Sequence, residues 1–207
     1  MDTKTQTGYL ILADISGYSS FVAKSELEHA HDILSELLEL VLKRITTICT
    51  LSNLEGDAIF AYAPEEKLRR GETLLELIES TYAAFKGHQD AIRRRTTCQC
   101  NACRNIPSLD LKFMVCYGDY IIQSIGGYHE MVGNDVNLIH RLLKYHIADV
   151  TGWRGYALLT DQALFNVGLK AVKRELDKLK VKEAYEIISQ LVIQEDQAAS
   201  GSVNATA

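Results

Sequence analysis

Two aspartates in this chain stand where charge needs a reason. Asp14 ends the apolar run Gly8-Tyr9-Leu10-Ile11-Leu12-Ala13 and is followed by Ile15-Ser16-Gly17. Leu10, Ile11 and Leu12 read as a strand buried on both faces. Such a strand tolerates a carboxylate only if the charge is neutralised, hydrogen-bonded or bound to a cation. Taken alone, Asp14 reads either as the cap of the turn that follows or as a cation or phosphate ligand. Asp57 lies in Glu55-Gly56-Asp57, at or near the tip of a hairpin expected from two β-rich runs, 46–54 and 58–63. If the first strand lies beside that hairpin, the two carboxylates meet at one edge of a sheet. Paired oxygen donors of this kind suit Mg²⁺ or Mn²⁺, which keep coordination positions open for phosphate oxygens.

A second group sits in Gly133-Asn134-Asp135-Val136-Asn137-Leu138-Ile139-His140-Arg141. Asn137 and Arg141 are four residues apart and share one face of a helix. An amide and a guanidinium together suit a ribose and a phosphate, with the guanidinium placed to neutralise developing charge. Without a ligand they are a surface pair. A third group, Cys98, Cys100 and Cys103, has Cys-x-Cys-x-x-Cys spacing and can bind one soft metal. Structural zinc takes four ligands, so a fourth has to come from His88, Cys116 or a partner chain. The alternatives are a reduced surface loop with reactive thiols or a redox sensor. The adjacent run Arg93-Arg94-Arg95 would favour thiolates, bind a phosphate-bearing partner, or be a solvated charge run. Cys49 and Cys116 fall in strand-like runs and read as packing residues.

The elements that must position these groups follow from periodicity. Ser25 and Glu28 have capping-box spacing, and apolar residues from Leu27 to Ile45 recur at helical intervals, with His29 and His31 facing solvent in the first turns. Pro64 ends the second hairpin strand, and the pattern predicts a helix over 72–86 stopped by Gly87. Residues 88–108 read as an insertion loop. Strand 109–117, a Gly118-Asp119 turn and strand 120–125 read as a second hairpin, closed by a Gly126-Gly127 break. A helix is expected over 134–146, a strand over 154–160, a short helix reaching Phe165, a charged amphipathic helix over 169–179 and a last strand over 184–193. Thr160-Asp161 would cap the short helix, and the small polar residues 196–207 read as a disordered tail. Hairpins interleaved with helices indicate an α+β sandwich, a mostly antiparallel sheet with helices packed on it. Residues 8–195 read as a single domain.

Composition bounds the function. The chain has 207 residues, 47% hydrophobic and 24% charged, as an ordinary globular protein does. A net charge of −5 argues against nonspecific nucleic-acid binding, which needs a basic surface. No signal segment and no apolar run of spanning length is apparent, so the expectation is a cytoplasmic protein with no membrane partner. In that setting five cysteines, an odd number, fit thiols or metal ligands better than a disulfide framework.

Taken jointly, the three segments at 13–18, 55–58 and 132–141 resemble the class III nucleotidyl (adenylate/guanylate) cyclase catalytic domain. Ala-Asp-Ile-Ser-Gly-Tyr at 13–18 looks like the first metal motif, Glu-Gly-Asp-Ala at 55–58 like the hairpin with the second metal aspartate, and Val-Gly-Asn-Asp-Val-Asn with Arg141 like the Asn/Arg segment. Order and approximate spacing agree, with the cysteine insertion as the exception. The resemblance implies a ferredoxin-like, nucleotide-cyclase-type sandwich. It also implies a phosphorus–oxygen lyase that turns a nucleoside triphosphate into a 3′,5′-cyclic nucleotide and pyrophosphate, in signal transduction. Asp14 and Asp57, with the Ile15 carbonyl, would hold two Mg²⁺ or Mn²⁺ ions. Asn137 would orient the ribose and Arg141 stabilise the transition state. Head-to-tail homodimers would give two sites, each with the aspartates of one protomer and Asn137 and Arg141 of the other. Asn53 stands where purine-selecting members carry Lys, and Glu130 where the partner is commonly Asp or Cys, so base selection departs from the common adenylyl pattern or is relaxed. Glu55 adds charge that a triphosphate disfavours. The second reading is a catalytically inactive homologue acting as a nucleotide-binding or zinc-stabilised dimerisation module.

Overall fold

In a computed structural model, the described residues are 4–68, 70–145 and 147–166. The elements in order are β1 Gln6–Ser16, α1 Tyr18–Ala23, α2 Leu27–Ile45, β2 Thr50–Glu55, β3 Ala58–Pro64, α3 Gly71–Arg95, α4 Asn101–Asn105, β4 Asp110–Ile125, β5 Tyr128–Val132, α5 Asn134–Leu143, α6 Ile147–Thr151, β6 Tyr156–Leu159 and α7 Asp161–Asn166. The sheet runs β2-β3-β1-β4-β5, with β6 also pairing to β4. Every pairing is antiparallel except β4 with β6. The β2-β3-β1-β4 portion, with α2 and α3 as its crossovers, is a ferredoxin-like arrangement, as expected. The expected strand 184–193 and helix 169–179 lie outside the described residues.

β1 is the central strand, and its alternation divides the core in two. Tyr9, Ile11, Ala13 and Ile15 pack on one side with Ala30, Leu37 and Val41 of α2 and Leu74, Phe85 and Ile92 of α3. Leu10 and Leu12 pack on the other side with Phe60, Met114 and the α5 residues Val136, Ile139 and Leu142. The successive apolar residues of β1 therefore serve two helical layers, one on each face of the sheet.

Four local expectations are corrected. The Ser25 capping box does not form: α2 starts one turn-position later with Glu26 as its N-cap and no side-chain cap bond, and the Ser25 hydroxyl is buried without a partner. Residues 46–49 are turn rather than strand, so β2 begins only at Thr50. Gly87 does not stop α3, which continues to Arg95. Gln89 and Ile92 in that extension are buried, and their packing outweighs the roughly 1 kcal/mol that an interior glycine costs a helix.

The Gly118-Asp119 turn is also absent, because β4 runs straight through it. β1 pairs with β4 from Gln6 opposite Tyr120 to Ser16 opposite Asp110, which keeps those residues extended. Gly118 is needed for a different reason. A Cβ there would lie 2.1 Å from Oδ2 of Asp135, whose carboxylate accepts the Asp119 N–H at 2.9 Å and ties the start of α5 to β4. The hairpin turns instead at Gly126-Gly127, between β4 and the unforeseen β5.

Candidate active site

Strand register brings Asp14 and Asp57 together. Asp14 lies between Ala58 of β3 and Lys112 of β4, so Asp57, one residue before Ala58, is its diagonal neighbour. The two-residue turn Gly56-Asp57 has Gly56 at φ 65°, and the Ile15 N–H reaches the Asp57 carbonyl at 3.4 Å. Asp14 points to the same face as Leu10 and Leu12, by the two-residue period of a strand, and is only 7% exposed. Its neutralising partner is Lys112, whose Nζ lies 2.9 Å from Oδ2.

One ammonium serves two carboxyls. Burial, the Asp14 charge and a shared hydrogen bond push the Asp57 carboxyl up to about 6, against the opposing pull of Lys112. Tyr156, on β6, also feels this end of the sheet: burial first and the Asp14 charge second push its phenol up to about 12. A second cation here would relieve the repulsion between the carboxylates, and hard oxygen donors select a hard ion. The residues present therefore fit Mg²⁺ or Mn²⁺.

Beside Asp14 a cleft of about 340 Å³ opens, lined among others by Gly17, Lys112, Lys144, Asp149, Arg154 and Tyr156. Three of these six are cationic and one is acidic. Gly17 turns the chain from β1 into α1 at φ 88°, and a Cβ there would meet the Ser108 carbonyl at 2.7 Å. Ser16 donates its hydroxyl to the Arg154 carbonyl at 2.7 Å, and Arg154 donates to the Ser108 carbonyl at 3.2 Å. Sequence reasoning missed Lys112, although a lone lysine within Leu111-Lys112-Phe113-Met114-Val115 poses the same question as Asp14 does.

Asn137 and Arg141 lie on one exposed face of α5. Their helix packs through Val136 and Ile139 on the β1 face that carries Asp14; none of Asn137, Arg141, Asp14 and Asp57 is among the residues lining the cleft, which meets the carboxylates through Lys112. Glu55 is held from two sides: Asn53 Nδ2 donates to it at 2.9 Å, and His140 of α5 sits 3.4 Å away. Glu130 is exposed on β5 opposite Gln123, and the sheet curls enough that β5 approaches β2, the strand of Asn53.

The three loop thiols are brought together, and the imidazole that joins them is His29 of α2. One ligand atom from each of His29, Cys98, Cys100 and Cys103 lies within 4.8 Å of every other. His88 is turned instead to Glu36, with Nε2 2.7 Å from Oε1, and Cys116 is buried in the core beside β1. No sequence signal marked His29, which is separated from Cys98 by 69 positions.

A family profile described as "Protein of unknown function (DUF2652)" matches residues 34–151. An uncharacterised protein of Mycobacterium tuberculosis, Rv2561/Rv2562, is 29% identical over 117 residues, 55% of this chain and 52% of the relative. The chain thus spans about half the length of the curated relative it matches. Among solved structures, the adenylyl cyclase CyaB from P. aeruginosa is similar with a TM-score of 0.63 and 16% identity, covering 81% of this chain and 83% of that one. A bacterial light-regulated adenylyl cyclase also scores 0.63 at 14% identity, covering 80% of this chain and 46% of that one. The guanylate cyclase domain of RhGC from Catenaria anguillulae, solved with GTP, scores 0.56 at 13% identity over 81% and 85% of the two chains. At these identities the likeness is one of fold: the chain has a nucleotide-cyclase-like fold. No helix among the described residues is long and apolar enough to cross a membrane.

Proposed function

The chain belongs to the DUF2652 family, and for it we propose cyclisation of a nucleoside triphosphate to a 3′,5′-cyclic nucleotide with release of pyrophosphate. The observation that carries the reading is the Asp14–Asp57 pair, with Lys112 on it and a cationic cleft beside it, at the end of the central strand of a cyclase-like fold. Asp14, Asp57 and the Ile15 carbonyl would hold two Mg²⁺ or Mn²⁺ ions, whose chemistry when bound would be to acidify the ribose 3′-hydroxyl and balance the triphosphate charge.

The chain's own groups bind and orient the substrate. Lys112, Lys144 and Arg154 offer donors to phosphate oxygens along the cleft. Asn137 orients the ribose, and Arg141 stabilises charge at the α-phosphorus as the 3′-oxygen bonds to it and pyrophosphate leaves. Asn137 and Arg141 occupy an exposed face of α5, and a complete site takes them from a second copy in a head-to-tail homodimer. Asn53 and Glu130 face the base, and Asn53, which donates to Glu55 at 2.9 Å, supplies an uncharged amide in place of an ammonium, so base selection departs from the common adenylyl pattern or is relaxed. The protein would act in the cytoplasm as a cyclic-nucleotide signalling enzyme.

The test is turnover of ATP, GTP, CTP and UTP with Mn²⁺ or Mg²⁺, comparing the parent chain with Asp57→Ala. Cyclic product from the parent and none from the variant supports the reading. Nucleotide binding with no cyclic product or pyrophosphate from any of the four sinks it.

A further inference from the structure

We propose that His29, Cys98, Cys100 and Cys103 form a zinc site that fastens the insertion between α3 and β4 to the start of α2. The reading is independent of the proposed cyclase activity, since none of these residues lines the cleft beside Asp14.

The donor set is complete for one ion. His29 Nδ1 lies 3.2 Å from Cys100 Sγ and 3.7 Å from Cys98 Sγ, and all four ligand atoms fall within 4.8 Å of one another. A tetrahedral ion with Zn–S of about 2.3 Å and Zn–N of about 2.1 Å requires donor separations of roughly 3.5–3.8 Å. Small rotamer changes close the remaining gap. All three thiols are free, and soft sulfur with imidazole selects zinc over Mg²⁺ or Mn²⁺. Four protein donors leave no open position, which is the pattern of a structural centre.

The backbone around the thiols is arranged for the purpose. The Cys100 and Cys103 amides point at the sulfurs of Cys98 and Cys100, at 3.5 and 3.4 Å. Such N–H···S contacts orient thiolates and offset their charge. Glu26 reaches across from the start of α2 to accept the Asn101 and Ala102 amides, at 3.2 and 3.0 Å. This tether presents the cysteine loop to His29, one turn further along α2. The other end of the insertion touches the cleft through Ser108, so fixing the loop also fixes one wall of that cleft.

The experiment is metal analysis of the tag-free full chain, with Zn²⁺ and then Co²⁺ as probes. The expected result is one zinc per chain, and cobalt bands of a tetrahedral ion with thiolate charge transfer. Cys100→Ser and His29→Ala should each weaken zinc binding at least 100-fold, in keeping with loss of a direct ligand. His29→Cys should retain stoichiometric zinc with a red-shifted cobalt spectrum, and His88→Ala should bind as the parent does. His29→Cys also guards against loss of fold in the alanine variant. A chain that takes up no zinc when supplied with it overturns the proposal. So do an iron–sulfur chromophore in its place and a His29→Ala protein with parental affinity.

Discussion

The carboxylate pair and the thiol cluster both gather donors from distant parts of the chain, but they are built differently. Asp14 and Asp57 are held by strand register, with backbone pairing on both sides of Asp14. Their set is incomplete and balanced by one lysine, which also lines the neighbouring cleft. The thiols stand on a 14-residue insertion, 96–109, positioned by side chains such as Glu26 and by α4. Their set is closed. A rigid, unfinished donor set suits ions that come and go with a substrate, whereas a closed soft set on a loop suits an ion that stays.

The largest test of that contrast is at the carboxylates. Asp57→Ala should reduce turnover on the order of 10³-fold, about 4 kcal/mol in barrier, while leaving bound zinc unchanged. Product assay and metal analysis on one preparation measure both, and loss of zinc together with turnover would erase the distinction. Arg141→Ala should also lose turnover without losing stability. Mixing it with Asp57→Ala should restore about a quarter of parental activity, because random pairing yields heterodimers with one intact site. No recovery on mixing would place all four groups on one protomer.

A smaller effect is expected on the Asp14 ion pair. Lys112→Met should destabilise the fold by roughly 2–4 kcal/mol in urea titrations, since it strands a nearly buried carboxylate. Saturating Mn²⁺ should recover part of the loss, and a manganese-insensitive deficit would argue against a cation site. The smallest lies beneath the thiols, where Glu36 joins Arg95 and His88 and thus α2 to α3. The Arg95 guanidinium, with His88 behind it, holds the Glu36 carboxyl below its ordinary range. A depressed carboxyl stabilises the fold above its unfolded pKa, near 4.3, and that contribution fades as pH falls through the folded value. Glu36→Gln should therefore cost up to about 1 kcal/mol at pH 7, a figure kept small by solvent screening, and nothing in strong acid. A pH-independent difference between the two denaturation curves would assign the effect to packing.

The carboxylate site was legible in the sequence because each aspartate breaks an apolar strand beside a glycine, and strands fix their neighbours through register. β1 as a central strand, both aspartates and the Asn137/Arg141 helix face follow from such local patterns. What escaped was set by tertiary contact. Gly118 reads as a turn residue but serves as a seat for Asp135, and Gly87 reads as a stop although Gln89 and Ile92 continue to be buried. Ser25 and Glu28 match a cap that does not form, while the carboxylate of Glu26 is spent on another segment's amides. His29 could not be linked to Cys98 by spacing, because α2 and the insertion are distant in sequence and meet only through packing on one face of the sheet.

The unbroken course of β4 bears on which changes of length this chain can absorb. From Asp110 to Tyr120 it is locked to β1 residue by residue. A one-residue slip of that register would turn Lys112 to the opposite face and leave Asp14 without its counter-charge. Between Arg95 and Asp110 no strand pairing is at stake, so a change of length at 96–99 alters the thiol loop and spares the aspartates, whereas the buried Ala102, Ile106 and Leu109 hold the rest of the insertion in the core. The length of the molecule is thus freest where the insertion begins and fixed once β4 is under way.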